Sequence, residues 1–312
     1  MAWTSAISLG ATNIKTSGAT LTLSIAHEVA IGDVVVVIVA CDNVSTADGI
    51  TSEVSSITDS LLSNTWTKAH EYCNGQGAAS AGATVAIFYS KITTPLTSAS
   101  ETLMATFANS ITAKAMTAYR FTADGTVTVQ GTIQTLANDS LDPGSMELSG
   151  MASREYLFVR GIAAEGTSGM ATMTQTSGFN AFSPSSTAGG GPPSNMTVLG
   201  EYKIATDIGA ISDPSLNGGI PDSASIFLAL QESSGNQYYK SGTVTGTIVA
   251  ATGSRVKHLT NFTLYSQEPT FLIGLSEGLQ VNPNDTTFLI GLSEGLQVNP
   301  NDTTFLVKEA RR

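Results

Sequence analysis

The chain reads as an all-β protein, an antiparallel β-sandwich of jelly-roll-like topology over residues 1–266 followed by a short C-terminal β-repeat stalk over 267–312. Short runs rich in Val, Ile, Thr and aromatics recur along it, bounded by Gly, Asn, Asp, Ser or Pro. None of the connecting stretches carries a sustained helical stripe, and the C-terminus repeats one seventeen-residue unit letter for letter. Strands that follow one another without helices bury their apolar faces by packing sheet on sheet.

The first strand signal, "ATLTLSI" (Ala19 to Ile25), alternates in the manner of a strand with one buried face. A turn at Ala30 to Asp33 leads into "DVVVVIVAC" (Asp33 to Cys41), whose unbroken β-branched content predicts a central strand buried on both faces. Further strands are expected at Ala83 to Ile92, Glu101 to Ala108, Ala113 to Phe121, Thr126 to Ile133, Glu155 to Ala163, Met196 to Ile204, Ala224 to Glu232, the "GTIVAA" run and Thr260 to Ser266. The Gly/Pro/Ser-rich "FSPSSTAGGGPPSN" (Phe182 to Asn195) reads as a long exposed loop rather than a linker, because strands of similar texture lie on both sides.

At 312 residues the chain is long enough for one large all-β domain or two smaller ones. Only 12% of residues are charged, with 30 glycines and many Ser, Thr and Ala in their place. A net charge of −11 and a pI near 4.6 repel phosphate backbones and anionic lipid, so nucleic acid is excluded as a partner. The N-terminal "MAWTSAISLG" has no signal-peptide pattern, and no run of eighteen apolar residues occurs, so synthesis in the cytoplasm without membrane insertion is expected. Cys41 and Cys73, far apart in sequence, read by default as buried free thiols.

The three histidines, His27, His70 and His258, have no G-x-S-x-G elbow near them and read as surface or packed strand residues. Asp42, Asp48, Asp59, Glu71, Asp139 and Asp142 are scattered carboxylates with no pairing that singles out a glycosidase. "DNVSTADG" (Asp42 to Gly49) and "NDSLDPG" (Asn138 to Gly144) offer oxygen ligands for calcium, but Asx-turn chemistry explains the same residues. The expectation is therefore no enzyme, no cofactor and no metal. Trp66, Tyr72, Tyr238 and Tyr239 are candidates for a carbohydrate platform, with Trp66 more at home in a core.

The series "SGATLTLSIAHEVAIGDVVVVIVACDN", "SSITDSLLSNTWTKAHEY" and "AGATVAIFYSKITTPLTSASETLMATFANSITAKAMTAYRF" resembles a β-sandwich module common in bacteriophage virion proteins and related bacterial surface proteins. The likeness covers roughly residues 15 to 125 and rests on the Gly32-Asp33 turn, the Asp59 to "NTWT" segment (Asn64, Thr65, Trp66, Thr67) and the aromatics near Tyr119 to Phe121. It departs at Leu61 and Leu62, where such modules are small and glycine-rich. The resemblance implies a structural or adhesive virion component.

The repeat runs from Thr270 to Thr286 and again from Thr287 to Thr303, with a third copy begun at Thr304. Each copy divides into a strand "TFLIGL", a corner "SEG", a strand "LQV" and a Pro-centred turn "NPND". Its six large apolar groups contribute about 1.5 to 3 kcal/mol each if buried, against roughly 25 kcal/mol for ordering seventeen residues. A lone copy therefore needs partners to supply burial and strand pairing.

The residues expected to make an oligomer interface are Phe271, Ile273, Leu275, Leu279, Val281, Phe288, Ile290, Leu292, Leu296, Val298 and Phe305, with Lys308, Arg311 and Arg312 as an anchor candidate. The repeats resemble the triple β-spiral shafts of viral fibres, which implies a homotrimer; docking on the chain's own sandwich or on a neighbour's edge strand is the alternative. A whole added repeat keeps every apolar residue on its original face. The expected function is a non-enzymatic bacteriophage virion protein of head-decoration or head-fibre type, bound to other capsid or tail proteins. The alternative is a tail-fibre adhesin that recognises host-surface glycans through loops such as Gly178 to Asn195.

Overall fold

The computed structural model describes residues 3–42, 47–75, 82–123, 125–139, 142–166, 172–191, 194–206, 209–217 and 222–233, and beyond these the strands at 242–244, 262–267, 270–274, 280–281, 287–292, 297–298 and 305–309. The protein is all-β, with no α-helix among the described residues. Two compact units divide it, residues 1–235 and 236–312.

In the first unit the strands are β1 (Thr4–Ser24), β2 (Asp33–Asp42), β3 (Val54–Asp59), β4 (Thr67–Asn74), β5 (Ala83–Lys91), β6 (Thr102–Thr122), β7 (Thr126–Asn138), β8 (Met146–Leu148), β9 (Glu155–Glu165), β10 (Thr172–Thr174), β11 (Asn180–Ala181), β12 (Ser185–Ser186), β13 (Met196–Thr206), β14 (Ala210–Ser212), β15 (Ser215–Asn217) and β16 (Ser223–Ser233). One antiparallel sheet has the order β1-β6-β2-β5-β4, with β3 also on β6; the second has β11-β13-β9-β16-β7, with β12 also on β13. The long strands repeat one order, β1-β6-β2-β5 in the first sheet and β7-β16-β9-β13 in the second. Each half of the unit thus places its last long strand between its first and its second.

The sheets pack face to face through Val34, Val36, Ile38 and Ala40 of β2 and Val85 and Ile87 of β5, against Leu157, Val159, Ile226 and Leu228 of the second sheet. Burying these side chains contributes about 1.5 to 3 kcal/mol each. The opposite face of β2, Val35, Val37, Val39 and Cys41, lies under Leu21, Leu23, Ile57, Leu103 and Phe107. The far halves of β1 and β6 achieve this cover because their pairing slips register between Lys15 and Thr20, which bends the pair out of the first sheet. The carbonyls of Thr16, Gly18 and Ile111, freed at the bend, accept hydrogen bonds from the buried Lys114 ammonium at 3.0, 2.8 and 2.5 Å.

Double burial of β2, read from its unbroken Val/Ile run, is what the structure has, and Leu21, Leu23 and Ile25 alternate as expected. The runs at Glu101 to Ala108 and Ala113 to Phe121 belong to one 21-residue strand, β6. The segment 182–195 is not an open loop throughout: Phe182, Thr187 and Asn195 are buried and β12 pairs with β13. Cys41 and Cys73 both register against Thr84 from opposite sides of β5. Two strand spacings hold their Cα atoms about 10 Å apart, beyond the ~7 Å a disulfide spans, and both are buried and not joined by a disulfide.

The second unit contains β17 (Gly242–Val244), β18 (Phe262–Gln267), β19 (Thr270–Gly274), β20 (Gln280–Val281), β21 (Thr287–Leu292), β22 (Gln297–Val298) and β23 (Phe305–Glu309). They form a sheet of order β17-β18-β19-β21-β23 and a small β20-β22 pair. By pairing, β18 belongs with the repeats, and the second compact unit begins at residue 236. The "GTIVAA" run, "NQYY" and His258 lie outside the described residues.

Candidate interaction surfaces

Three places gather the residues that the sequence singles out: the repeat ladder and the two ends of the sandwich. In the ladder, β19, β21 and β23 run parallel, and each residue meets its own counterpart one copy later: Phe271 registers with Phe288 and Phe288 with Phe305. Gln280 and Val281 likewise register with Gln297 and Val298. Parallel neighbours need a crossover of about a dozen residues, and twelve residues, β20 among them, separate β19 from β21 in the chain. Successive copies thus supply each other with strand pairing inside one chain.

Phe271, Ile273, Val281, Phe288, Ile290, Leu292, Val298 and Phe305 lie on these strands, while Leu275, Leu279 and Leu296 fall outside the described residues. Val307, Lys308 and Glu309 of β23 register with Ile290, Gly291 and Leu292, the positions at which the third copy departs from the repeat. Arg311 and Arg312 lie outside the described residues.

At one end of the sandwich the buried Asp59 carboxylate organises the loop after β3. Its Oδ1 accepts from the Leu61 and Ser63 amides at 3.1 and 3.4 Å, and its Oδ2 from the Asn64 amide and the Trp66 indole N–H, both at 3.2 Å. Four donors on one carboxylate explain why Asp59 and "NTWT" belong together. Trp66 is half-buried against the core, and Asn64 ties the loop to its neighbour by accepting from the Thr93 and Thr94 amides, each at 2.9 Å. At the tip Leu62 has φ 53°, the left-handed region where glycine is at ease.

At the other end, the ends of strands from both sheets meet. Glu165 is fully buried; its Oε1 accepts from the Gly82 amide at 2.9 Å, and no donor reaches Oε2. Burial, then the neighbouring Asp222 and Asp42 carboxylates, push Glu165 up to about 9, so at neutral pH it is a protonated acid. Asn74 bridges the sheets by donating from Nδ2 to the Asn138 and Ser223 carbonyls and to Asp139 Oδ1.

The two loops with calcium-like spacing reach this same end, and Asp48, Asp139 and Asp142 in them accept from backbone or amide donors. Gly75 N–H donates to Asp48 at 2.9 Å, and Gly144 N–H donates to Asp142 at 2.8 Å in an Asx turn. Among the described residues no group of three or more His, Cys, Asp or Glu is placed to hold a metal ion.

Because Glu165 binds its proton more tightly folded than unfolded, its contribution to stability is full below about pH 4.3 and is lost as pH rises through about 9. Glu165→Gln keeps a neutral side chain at every pH. Denaturant melts from pH 5 to 9.5 should show the variant gaining on the wild type by about 1 kcal/mol or more towards alkaline pH. Parallel stability curves would contradict the protonated assignment.

Of the histidines, His27 is exposed, and His70 on β4 is half-buried with its imidazole pulled below the usual value by burial. The sequence reading missed Glu165 with Asp222, since the first ends a strand and the second precedes another, 57 residues on. It also missed Arg160, buried on β9 and donating to the Ser212 and Pro143 carbonyls at 2.8 and 2.7 Å. An arginine inside the apolar run "EYLFVRGIA" was the available signal. No family model matches the chain, and no curated protein matches it.

Proposed function

We propose that the chain is a non-enzymatic structural protein of a bacteriophage virion, of the head-decoration or head-fibre type, working as a homotrimer among other capsid or tail proteins. The repeat ladder carries this reading. Two identical copies and the start of a third stack in register, so the length of the C-terminal unit is set by the number of copies. That property suits a stalk or spacer, since adding a copy extends it without disturbing register. The acidic charge of −11 supports a part displayed in solution rather than one laid on nucleic acid.

Gold-labelled antibody against residues 1–235, applied to purified particles, tests the proposal. Regular label on the head is the expected result, and particles without label overturn it.

The segment 178–195 favours the adhesin as a second reading. Lys15 Nζ holds this segment by donating to the Gly189 carbonyl, to Ser194 Oγ at 3.0 Å and to Asn195 Oδ1 at 2.9 Å. A polar loop fixed in advance loses less entropy on binding a ligand. Label at the tail tip together with binding on a glycan array selects that reading.

A further inference from the structure

Two residues other than glycine, Leu62 (φ 53°) and Ala99 (φ 61°), have left-handed backbone among the described residues, and their loops are joined. Ser60 N–H donates to the Thr102 carbonyl at 3.0 Å, Thr102 N–H returns to Ser60 Oγ at 3.1 Å, and Asn64 Nδ2 donates to the Thr94 carbonyl at 3.0 Å. The second loop in turn holds the turn before β2: Gly32 N–H donates to the Ile92 carbonyl, and Ile92 N–H to the Asp33 carbonyl. Backbone strain of this kind persists only where the surroundings over-determine it, and it gathers at sites that act on something else.

On this rigid frame stand large apolar side chains turned to solvent: Leu62 is 77% exposed, Leu61 45% and Ile31 68%. The loop tips carry no charge of their own, and of the carboxylates beside them Asp59 is buried under its four donors, Glu101 accepts from the Thr97 amide at 2.9 Å and Glu28 is exposed. Residues 29–32, 60–67 and 92–100 contain no Asp, Glu, Lys or Arg in a chain of net charge −11, and the flanking Asp33 is paired with Arg120 at 2.8 Å. Copies of so acidic a chain repel one another over most approaches, and apolar loop tips without charges of their own are where two can meet at a smaller penalty.

We infer that this end of the sandwich is the contact between neighbouring copies within the assembly, with Leu61 and Leu62 as the apolar groups that meet. Three side chains offer on the order of 300–400 Å², below the ~800 Å² per partner of a lasting interface. The contact therefore holds only between copies already kept close, and this rests on the proposed assembly through the repeats, which raises the effective concentration of one sandwich near another.

The test uses the full chain and two variants. Leu61→Ser/Leu62→Gly removes the apolar groups, and glycine accepts φ 53° freely, so its thermal midpoint should be no lower than that of the wild type. Its association constant in sedimentation equilibrium should fall at least tenfold. Leu62→Cys should give chain-to-chain disulfides under mild oxidation, whereas the wild type, whose Cys41 and Cys73 are buried, should not.

An oligomeric wild type whose mass distribution the double variant leaves unchanged, with no cross-link through residue 62, overturns the inference and leaves the repeat assembly standing. A chain monomeric at every concentration overturns both. If Phe288→Pro in the ladder leaves association intact while the double variant lowers it, the repeat reading fails and this contact remains.

Discussion

Gly200→Val is expected to destabilise the first unit by at least about 3 kcal/mol, at the upper end of what overpacking costs. Gly200 and Gly161 face each other across β13 and β9 and form a dent in the second sheet that receives Ile38 and Ile87 of the first. A Cβ at position 200 would stand 2.6 Å from Ile38 Cδ1 and 2.7 Å from the Arg160 carbonyl oxygen; one at position 161 would stand 2.9 Å from Ile38 Cγ2. A side-chain tip can swing aside, but a carbonyl inside a hydrogen-bonded strand cannot.

The thermal midpoint should fall by roughly 6–12 °C, at about 2–4 °C per kcal/mol for a domain of this size. Gly209→Ala, where the nearest atom to a new Cβ is 3.6 Å away, should change little. Ile38→Val in a Gly200→Ala background should recover part of the loss by removing Cδ1. Unchanged melting of Gly200→Val would contradict the close packing of the sheets.

Arg160→Met should cost about 3–5 kcal/mol, the range for breaking one side of a buried charge network. Burial lowers the guanidinium to about 10, with Glu201, Asp213 and Asp142 acting against that shift, so it remains a cation at neutral pH. Its donors hold Ser212 of β14 and Pro143 ahead of β8 onto the second sheet. Buried Glu201 accepts from Ser212 Oγ at 2.6 Å and from the Thr176 amide and hydroxyl at 2.8 and 2.7 Å. Removing Arg160 takes a donor from each of two carbonyls and a nearby positive charge from Glu201. Adding Glu201→Gln should return part of the loss, and a double-mutant cycle by chemical denaturation measures the coupling. Strictly additive losses would mean the two charges do not work together.

The strand pattern was legible because β-branched runs ended by turn residues are a local signal, and β2 announced burial on both faces by its five Val and Ile from Val34 to Ile38. What covers β2 was not legible. The cover is the far halves of β1 and β6, and their bend depends on Lys114 meeting carbonyls about a hundred residues away in the chain. The first half of β1, with Gly, Asn, Lys and Ser among its residues, carried too weak an alternation to read as a strand, and pairing with β6 imposes it. Asp59 and Trp66 were visible as a motif, whereas Glu165 and Asp222 meet only because two strand ends converge. The repeat was plain in the letters, but its parallel, in-chain pairing depends on the crossover closing at the right length, which spacing alone leaves open.

The mass of the full chain in solution, measured by light scattering beside a chain ending at Gly235, tests assembly through the repeats most directly. The account predicts three times 32.2 kDa for the full chain and a single chain for the shortened one. A single-chain mass for both would contradict it.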